Sequence, residues 1–305
     1  MTTTMSLALL PPEFVPQTAP IGPHALVDDR GCEPLVGGNK ARKLLGGLFT
    51  EARARGARRL LTVGARGSHH VLATAVLGAR AGFEVHAVLW PQPPTDHSEH
   101  VFDAGRRAGL VAHHVQSARE VPALLSELAW LVRRDTFFIP LGGSTPSSLR
   151  AHAEAASKLA VGSPELRALD AVVLPVGSGG TAAGVALGLA EAFGDGGPRV
   201  HGVLVSAPYL ATPALTFDKL SRAAMHGFVS RRLAACAWRK LRFDNRFVPP
   251  GYGHASARVV EAIGQARDLG LELEPTYTGK AFASCLELER AGDRTAFWLT
   301  LGRIP

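Results

Sequence analysis

The twenty residues Ala171–Ala190, AVVLPVGSGGTAAGVALGLA, carry no charge. An uncharged run of that length suffices to cross a bilayer, but only as an unbroken apolar helix. Pro175, Gly177, Gly179, Gly180, Gly184 and Gly188 interrupt this one. It reads instead as a strand over Ala171–Leu174, a loop over Gly177–Thr181 and a helix over Ala182–Phe193. In the loop, Gly177-Ser178-Gly179-Gly180-Thr181, missing side chains let backbone N–H groups approach an anion. The helix start adds partial positive charge, and Ser178 and Thr181 add hydroxyls. The stretch is a phosphate cradle, or else a tight turn for close helix–sheet packing. It lacks the lysine of a Walker A loop and the spacing of G-x-G-x-x-G, so a nicotinamide dehydrogenase is disfavoured.

The same alternation extends along the chain in both directions. Ala41–Arg55 has helical composition, and Leu60–Val63 reads as a buried strand followed by a turn over Gly64–Gly67. Ser68 is placed to cap a helix that runs to about Ala81. Strands are predicted at Val85–Leu89, His113–Val115, Phe137–Ile139, Val200–Val205 and Phe297–Leu299. Helices are predicted at Val101–Ala108, Val121–Arg133, Ala151–Leu159, Ser256–Leu269 and Ala281–Arg290. Alternation of this kind implies an α/β protein, with parallel sheets covered by helices on both faces. Ligands bind such folds at the carboxyl ends of strands. That places the site among the loops after Val63, Ile139, Pro175 and Leu299.

Composition removes other classes. The chain has 305 residues, 46% hydrophobic and 19% charged, which allows one large or two modest domains and excludes disorder. Cys32, Cys236 and Cys285 are an odd, scattered set, so neither a disulfide framework nor a cysteine metal site is expected. Free thiols suit a cytoplasmic protein. Met5–Leu10 is apolar but has no basic residue before it, so no targeting signal is read there. The net charge of +7 is concentrated in Lys219–Arg246, where eight basic residues face Asp244 alone. Such a segment is a solvated helical face, a device that steers an anionic substrate, or a nucleic-acid surface. No recognition motif or interleaved aromatic run accompanies it, so neither nucleic acid nor membrane is expected as a partner.

Two further motifs carry reactive groups. Gly37-Gly38-Asn39-Lys40-Ala41-Arg42-Lys43-Leu44 holds two of only six lysines, three residues apart at a helix start, where both share one side. Lys40, near the positive helix end and beside Lys43, should lose its proton easily, and a neutral amine is what Schiff-base chemistry needs. Two solvated lysines on an exposed helix are the alternative. Ser68-His69-His70 suggests a metal at first sight, but neighbours on a helix point apart and no acid completes a set. Donors for a substrate carboxylate fit it better.

Together these motifs resemble a family. GGNKARKL (Gly37–Leu44), GARGSHH (Gly64–His70), IPLGGS (Ile139–Ser144), GSGGTAAG (Gly177–Gly184), PGYG (Pro250–Gly253) and YTGKA (Tyr277–Ala281) occur in order across about Pro34–Gly302. The set is similar to the 1-aminocyclopropane-1-carboxylate deaminase and D-cysteine desulfhydrase family. These are pyridoxal-phosphate enzymes of the tryptophan synthase β-like fold, fold type II. The resemblance implies a larger domain of residues 1–46 and 150–305 that binds the cofactor, a smaller α/β domain of 47–149, and an active site between them. It implies a homodimer as well.

Residue by residue, the resemblance assigns Lys40 to the covalent bond with pyridoxal 5'-phosphate and to the later proton shuttle. Lys43 and Gly177, Ser178, Gly179, Gly180 and Thr181 hold the phosphate. Ser68, with His69 and His70, binds the substrate carboxylate, and Tyr252 and Tyr277 approach the substrate. Thr300 stands where a hydroxyl meets the pyridine nitrogen, which favours elimination. Thr278 is among the substrate-binding residues and selects the branch: ring-opening relatives read Tyr-Glu-Gly-Lys, whereas this chain reads Tyr277-Thr278-Gly279-Lys280. The implied reaction is α,β-elimination from D-cysteine or a related small D-amino acid, giving pyruvate and ammonia. Ring opening of 1-aminocyclopropane-1-carboxylate, another reaction on the same cofactor, and a non-catalytic binder of an anionic ligand or nucleic acid are the alternatives. The resemblance counts Ser68, Tyr252 and Tyr277 with Lys40 among the catalytic residues, and His69 among the cofactor-binding ones, although the chain departs from the family pattern there, where an asparagine normally contacts the cofactor's phenolic oxygen, and at Leu301, a glycine position.

Overall fold

The computed structural model describes residues 15–22, 24–32, 36–128, 135–206 and 212–300. The apolar stretch Met5–Leu10, the end of the helix expected to reach Arg133, and Leu301 lie outside the described residues, as does the Cys32 side chain. Two strands come first, β1 (Gln17–Ile21) and β2 (His24–Asp28). A helical stretch follows as α1 (Gly38–Lys43), one π turn over Leu44–Leu48, and α2 (Phe49–Ala54). Strands and helices then alternate through β3 (Arg59–Ala65), α3 (His69–Arg80), β4 (Glu84–Trp90), α4 (Asp96–Arg107), β5 (Val111–His114), α5 (Val121–Glu127) and β6 (Thr136–Ile139). After α6 (Pro146–Gly162) come β7 (Ala171–Val176), α7 (Gly180–Phe193) and β8 (Arg199–Leu204). The chain continues through α8 (Pro213–Met225), α9 (Arg231–Lys240), β9 (Leu241–Asp244), α10 (Ala257–Asp268), α11 (Thr278–Arg290) and β10 (Thr295–Leu299).

The strands form two sheets. One has the order β1-β2-β10-β7-β8-β9 and the other β5-β4-β3-β6. Every pairing is parallel except β1 with β2, an antiparallel edge that the alternation of later elements does not announce. Side chains of β7 alternate as a two-sided strand must. Val172, Leu174 and Val176 pack with α6, α7 and α9, whereas Ala171 and Val173 pack with α10 and α11. In the smaller sheet, Leu60, Val85 and Ala87 pack with Leu44, Leu48 and Phe49 of the α1–α2 stretch and with α3.

The glycines of α7 serve contact rather than freedom. A Cβ at Gly184 would stand 2.4 Å from His152 Cβ, and one at Gly188 would stand 2.3 Å from the carbonyl of Ala153. Helix α6 therefore lies directly on α7, and an added methyl at either site would force the two apart. This contact helps hold α7, and with it the Gly177–Thr181 turn, in place.

Candidate active site

The carboxyl ends of β3, β6, β7 and β10 converge on a cavity of about 470 Å3. Lys40, Lys43, Ser68, His69, His70, Gly177–Thr181, Tyr252, Tyr277, Thr278 and Thr300 all line it. They come from both sheets and from loops that are distant in sequence.

The Gly177–Thr181 turn forms one end. Gly179 precedes α7 with φ 81°, a left-handed conformation that glycine adopts without steric cost. A Cβ at Gly180 would lie 2.2 Å from Ser144 Oγ and 3.1 Å from Lys43 Nζ. The Lys43 amine thus stands at the N-terminus of α7. It donates to the Gly142 carbonyl at 3.0 Å and to Ser144 Oγ at 3.1 Å. Ser144 Oγ lies 2.8 Å from Ser178 Oγ, and Asn39 Nδ2 donates to Thr181 Oγ1 at 2.9 Å. Burial, followed by the charges of Lys40 and Lys219, pushes Lys43 well below the ordinary lysine range. Among the described residues no carboxylate pairs with it. A buried amine facing a helix N-terminus, held only by neutral acceptors, fits a phosphate that brings the missing negative charge.

Lys40 is half-buried and leads into the same cavity from α1. Its Nζ lies 6.0 Å from the centroid of the Tyr277 ring. Gly177 abuts that ring as well, since a Cβ there would meet Tyr277 Cε1 at 3.2 Å. Burial lowers Lys40 to about 8. The direction is the one expected from the sequence, but the cause is desolvation rather than the helix end or Lys43. Tyr252 stands edge-on to Tyr277, with ring centroids 5.8 Å apart and hydroxyls 3.1 Å apart. Burial raises both phenols, Tyr252 to about 12, so both keep their protons at neutral pH.

Ser68 caps α3, but its Oγ is 3.5 Å from the Val71 amide, a weak bond that leaves the hydroxyl open to another partner. His69 Nε2 lies 2.9 Å from His97 Nε2. His70 is buried, and its Nε2 lies 2.9 Å from Thr62 Oγ1. Because that hydroxyl donates to the Ile139 carbonyl, His70 Nε2 is the donor to it, and the ring carries its proton there. Thr300 is buried against the cavity, and its carbonyl accepts the Asn39 amide at 3.3 Å.

Two residues at and behind the site were given no role from the sequence: Glu274, which lines the cavity, and Lys280, which does not. Glu274 is a buried carboxylate that accepts the amides of Thr276, Tyr277 and Thr278 at 2.7, 2.8 and 2.8 Å. It also accepts the Thr278 hydroxyl at 3.2 Å. An acid a few residues ahead of a helix start was the available signal. Lys280 is buried, and its Nζ donates to the carbonyls of Gly251 at 2.9 Å and Val205 at 3.2 Å, tying down the loop that carries Tyr252.

The basic segment begins near the site, where Lys219 acts on Lys43, and much of it is engaged by acidic side chains. Arg222 and Lys219 pair with Asp218, Arg239 pairs with Asp195, and Arg246 pairs with Asp244 and Glu287. Among the described residues no cluster of three or more histidine, cysteine or acidic side chains could hold a metal ion, and no helix is long and apolar enough to cross a membrane.

The family model described as pyridoxal-phosphate dependent enzyme matches residues 21–299. D-cysteine desulfhydrase of Salmonella schwarzengrund is 31% identical over 288 residues, covering 91% of this chain and 85% of that protein. The protein of the same name from Salmonella paratyphi B is 30% identical over the same shares. Among solved structures, a homologue of 1-aminocyclopropane-1-carboxylate deaminase superposes with a TM-score of 0.77 at 24% identity, covering 96% of this chain and 90% of that one. A hydrogen sulfide-producing enzyme from Fusobacterium nucleatum superposes at 0.63 and 14% identity, covering 95% and 94%. These two likenesses show the fold.

Proposed function

The chain belongs to the pyridoxal-phosphate dependent enzymes, in the 1-aminocyclopropane-1-carboxylate deaminase and D-cysteine desulfhydrase family, and within it we propose a lyase for D-cysteine or a similar small D-amino acid. The observation that carries this reading is geometric. Lys40 and the Gly177–Thr181 phosphate cradle open on one cavity of about 470 Å3. Pyridoxal phosphate, when bound, supplies an aldehyde and an electron-withdrawing ring that stabilises negative charge on the substrate α-carbon.

We assign the residues accordingly. Lys43, the amides of Gly179, Gly180 and Thr181, and the hydroxyls of Ser178 and Thr181 hold the phosphate. With the cofactor bound, Lys40 would be the residue that holds its aldehyde and the base placed to take a proton from the substrate α-carbon. Thr300 orients the pyridine nitrogen, while Ser68 receives the substrate carboxylate at the start of α3. Tyr252 and Tyr277, both protonated, close the cavity over the reacting atoms. The reaction would release the sulfur as hydrogen sulfide and, with uptake of one water, the carbon skeleton and nitrogen as pyruvate and ammonia.

Elimination is favoured over ring opening by the surroundings of Thr278. Its hydroxyl is held by Glu274, so a glutamate at position 278 would meet like charge. We also propose the division into residues 1–46 with 150–305 and residues 47–149, supported by membership of the two sheets. A cytoplasmic homodimer completes the proposal. The buried free thiols Cys236 and Cys285 suit a reducing compartment, and sedimentation tests the dimer.

The test is a visible spectrum of the purified protein and of Lys40→Ala, followed by a pyruvate assay over D- and L-amino acids. The lysine-bound cofactor band should be present in the wild type, absent in the variant, and accompanied by D-cysteine turnover. Pyruvate from L-amino acids alone would overturn the substrate assignment, and ring opening of 1-aminocyclopropane-1-carboxylate alone would reverse the choice of branch.

A further inference from the structure

One contact at the cavity has no role in the scheme above. His69 is the first residue of α3 and lines the cavity; His97 is the second residue of α4 and does not. Their rings lie 5.1 Å apart at 31°, with the two Nε2 atoms at 2.9 Å. The start of α4 is fixed by a capping box, in which the Thr95 amide donates to Ser98 Oγ at 2.9 Å and the Ser98 amide donates to Thr95 Oγ1 at 3.1 Å. The backbone at His97 is therefore fixed at the helix start, and the residue remains half-buried, within reach of solvent.

Two imidazole nitrogens at that distance share one proton, so one ring donates and the other accepts. Burial holds His69 well below the ordinary histidine range, and the charges of His97 and Lys40 act the same way against the opposing pull of Glu274. His69 is thus neutral and carries a single proton on one of two nitrogens. Its Nδ1 has no partner among the described residues and is not fully buried, and the residue lines the cavity. When Nε2 accepts from His97, the proton of His69 must sit on Nδ1.

We propose that His97 is a positioning residue that sets the tautomer of His69 and passes it protons from solvent, so that His69 protonates the group departing from the substrate β-carbon. The inference rests on the elimination reading. As the bond from the β-carbon to sulfur breaks, its electron pair stays on sulfur. A proton leaves His69 Nδ1 for sulfur while His69 Nε2 takes one from His97 Nε2. Buffer delivers a proton to His97 Nδ1 as its Nε2 proton leaves. After product release, water entering the cavity reprotonates His69 Nδ1 while His69 Nε2 returns its proton to His97 Nε2 and His97 Nδ1 gives one back to buffer. Both tautomers are thereby restored, so the net transfer is one proton from solvent to sulfur.

The test compares wild-type holoenzyme with His97→Phe, which cannot hydrogen-bond, and His97→Gln, which can hydrogen-bond but cannot relay a proton. Turnover is measured on D-cysteine and on 3-chloro-D-alanine, whose chloride leaves without a proton. Both variants should lose at least about tenfold in kcat on D-cysteine, with little change in KM, and several-fold less on 3-chloro-D-alanine. Nitrogen-15 spectra of the histidines should show one tautomer of His69 in the wild type and a mixture in His97→Phe. Equal losses on the two substrates, no loss on D-cysteine, or an unchanged His69 tautomer in His97→Phe overturns the proposal. Should the wild type turn over neither substrate, the elimination reading fails, and the leaving-group role of the pair fails with it. The spectra then decide the tautomer role alone.

Discussion

Lys40 shows how burial converts an ordinary side chain into a reagent. In water a lysine is almost wholly protonated at neutral pH, whereas here the amine is half deprotonated near pH 8. The rate at which the cofactor-free protein takes up pyridoxal phosphate should rise as the pH passes 8 and level off above it, followed by stopped-flow absorbance. The sign for stability follows from the same shift. Lys40 and Lys280, both lowered to about 8, bind fewer protons folded than unfolded between pH 8 and their ordinary value. The cofactor-free protein should therefore gain stability from pH 8 to about 9.5, read as a rising urea midpoint. Gly180 makes the opposite point, because there the side chain must be absent. Gly180→Ala would drive a methyl into Ser144 Oγ and Lys43 Nζ. Cofactor affinity should fall by roughly tenfold or more in a fluorescence titration while the circular dichroism of the fold is kept.

At the scale of elements, the site depends on how helices begin. Helix α7 begins at a left-handed glycine and offers its first amides to the cavity, and α3 begins at Ser68, whose hydroxyl is only weakly used by its own helix. Helix α11 has no side-chain cap at Tyr277 and relies on Glu274 to satisfy three amides. Removing that carboxylate leaves buried donors unpaired, at about 1–3 kcal/mol. Glu274→Ala should lower the melting temperature by several degrees and displace Tyr277 and Thr278 together. Glu274→Gln, which keeps one acceptor oxygen, should lie between it and the wild type. Scanning fluorimetry reads the order; Glu274→Ala as stable as the wild type would remove Glu274 from this role.

For the whole molecule, the cavity is made by the meeting of two sheets, so a ligand filling it ties them together. Cofactor that binds only the folded state adds stability by mass action, about 2.7 kcal/mol at a concentration one hundred times its dissociation constant. Removal of pyridoxal phosphate should lower the melting temperature by several degrees and speed proteolysis, and re-addition should restore both. The alternating elements of the two sheets, the Gly177–Thr181 turn and the lysine pair were legible in the chain because each rests on local chemistry: a period, a glycine spacing, a cap. Strands β1 and β9 were not, since edge strands have few apolar neighbours to impose a pattern; β2 is an inner strand but only five residues long, and helices α8 and α9 were hidden behind a run of basic charge. The run reads as seven net positive charges in sequence, yet in space much of it meets Asp218, Asp195, Asp244 and Glu287. The sequence by itself determined the parallel α/β architecture and the residue types able to grip a phosphate and present an amine. Only the tertiary structure decided that His69 meets His97, that Glu274 holds Tyr277 and Thr278, and that burial brings Lys40 to about 8. Desolvation and contacts between distant segments are properties of the closed cavity, and no local stretch of chain encodes them alone.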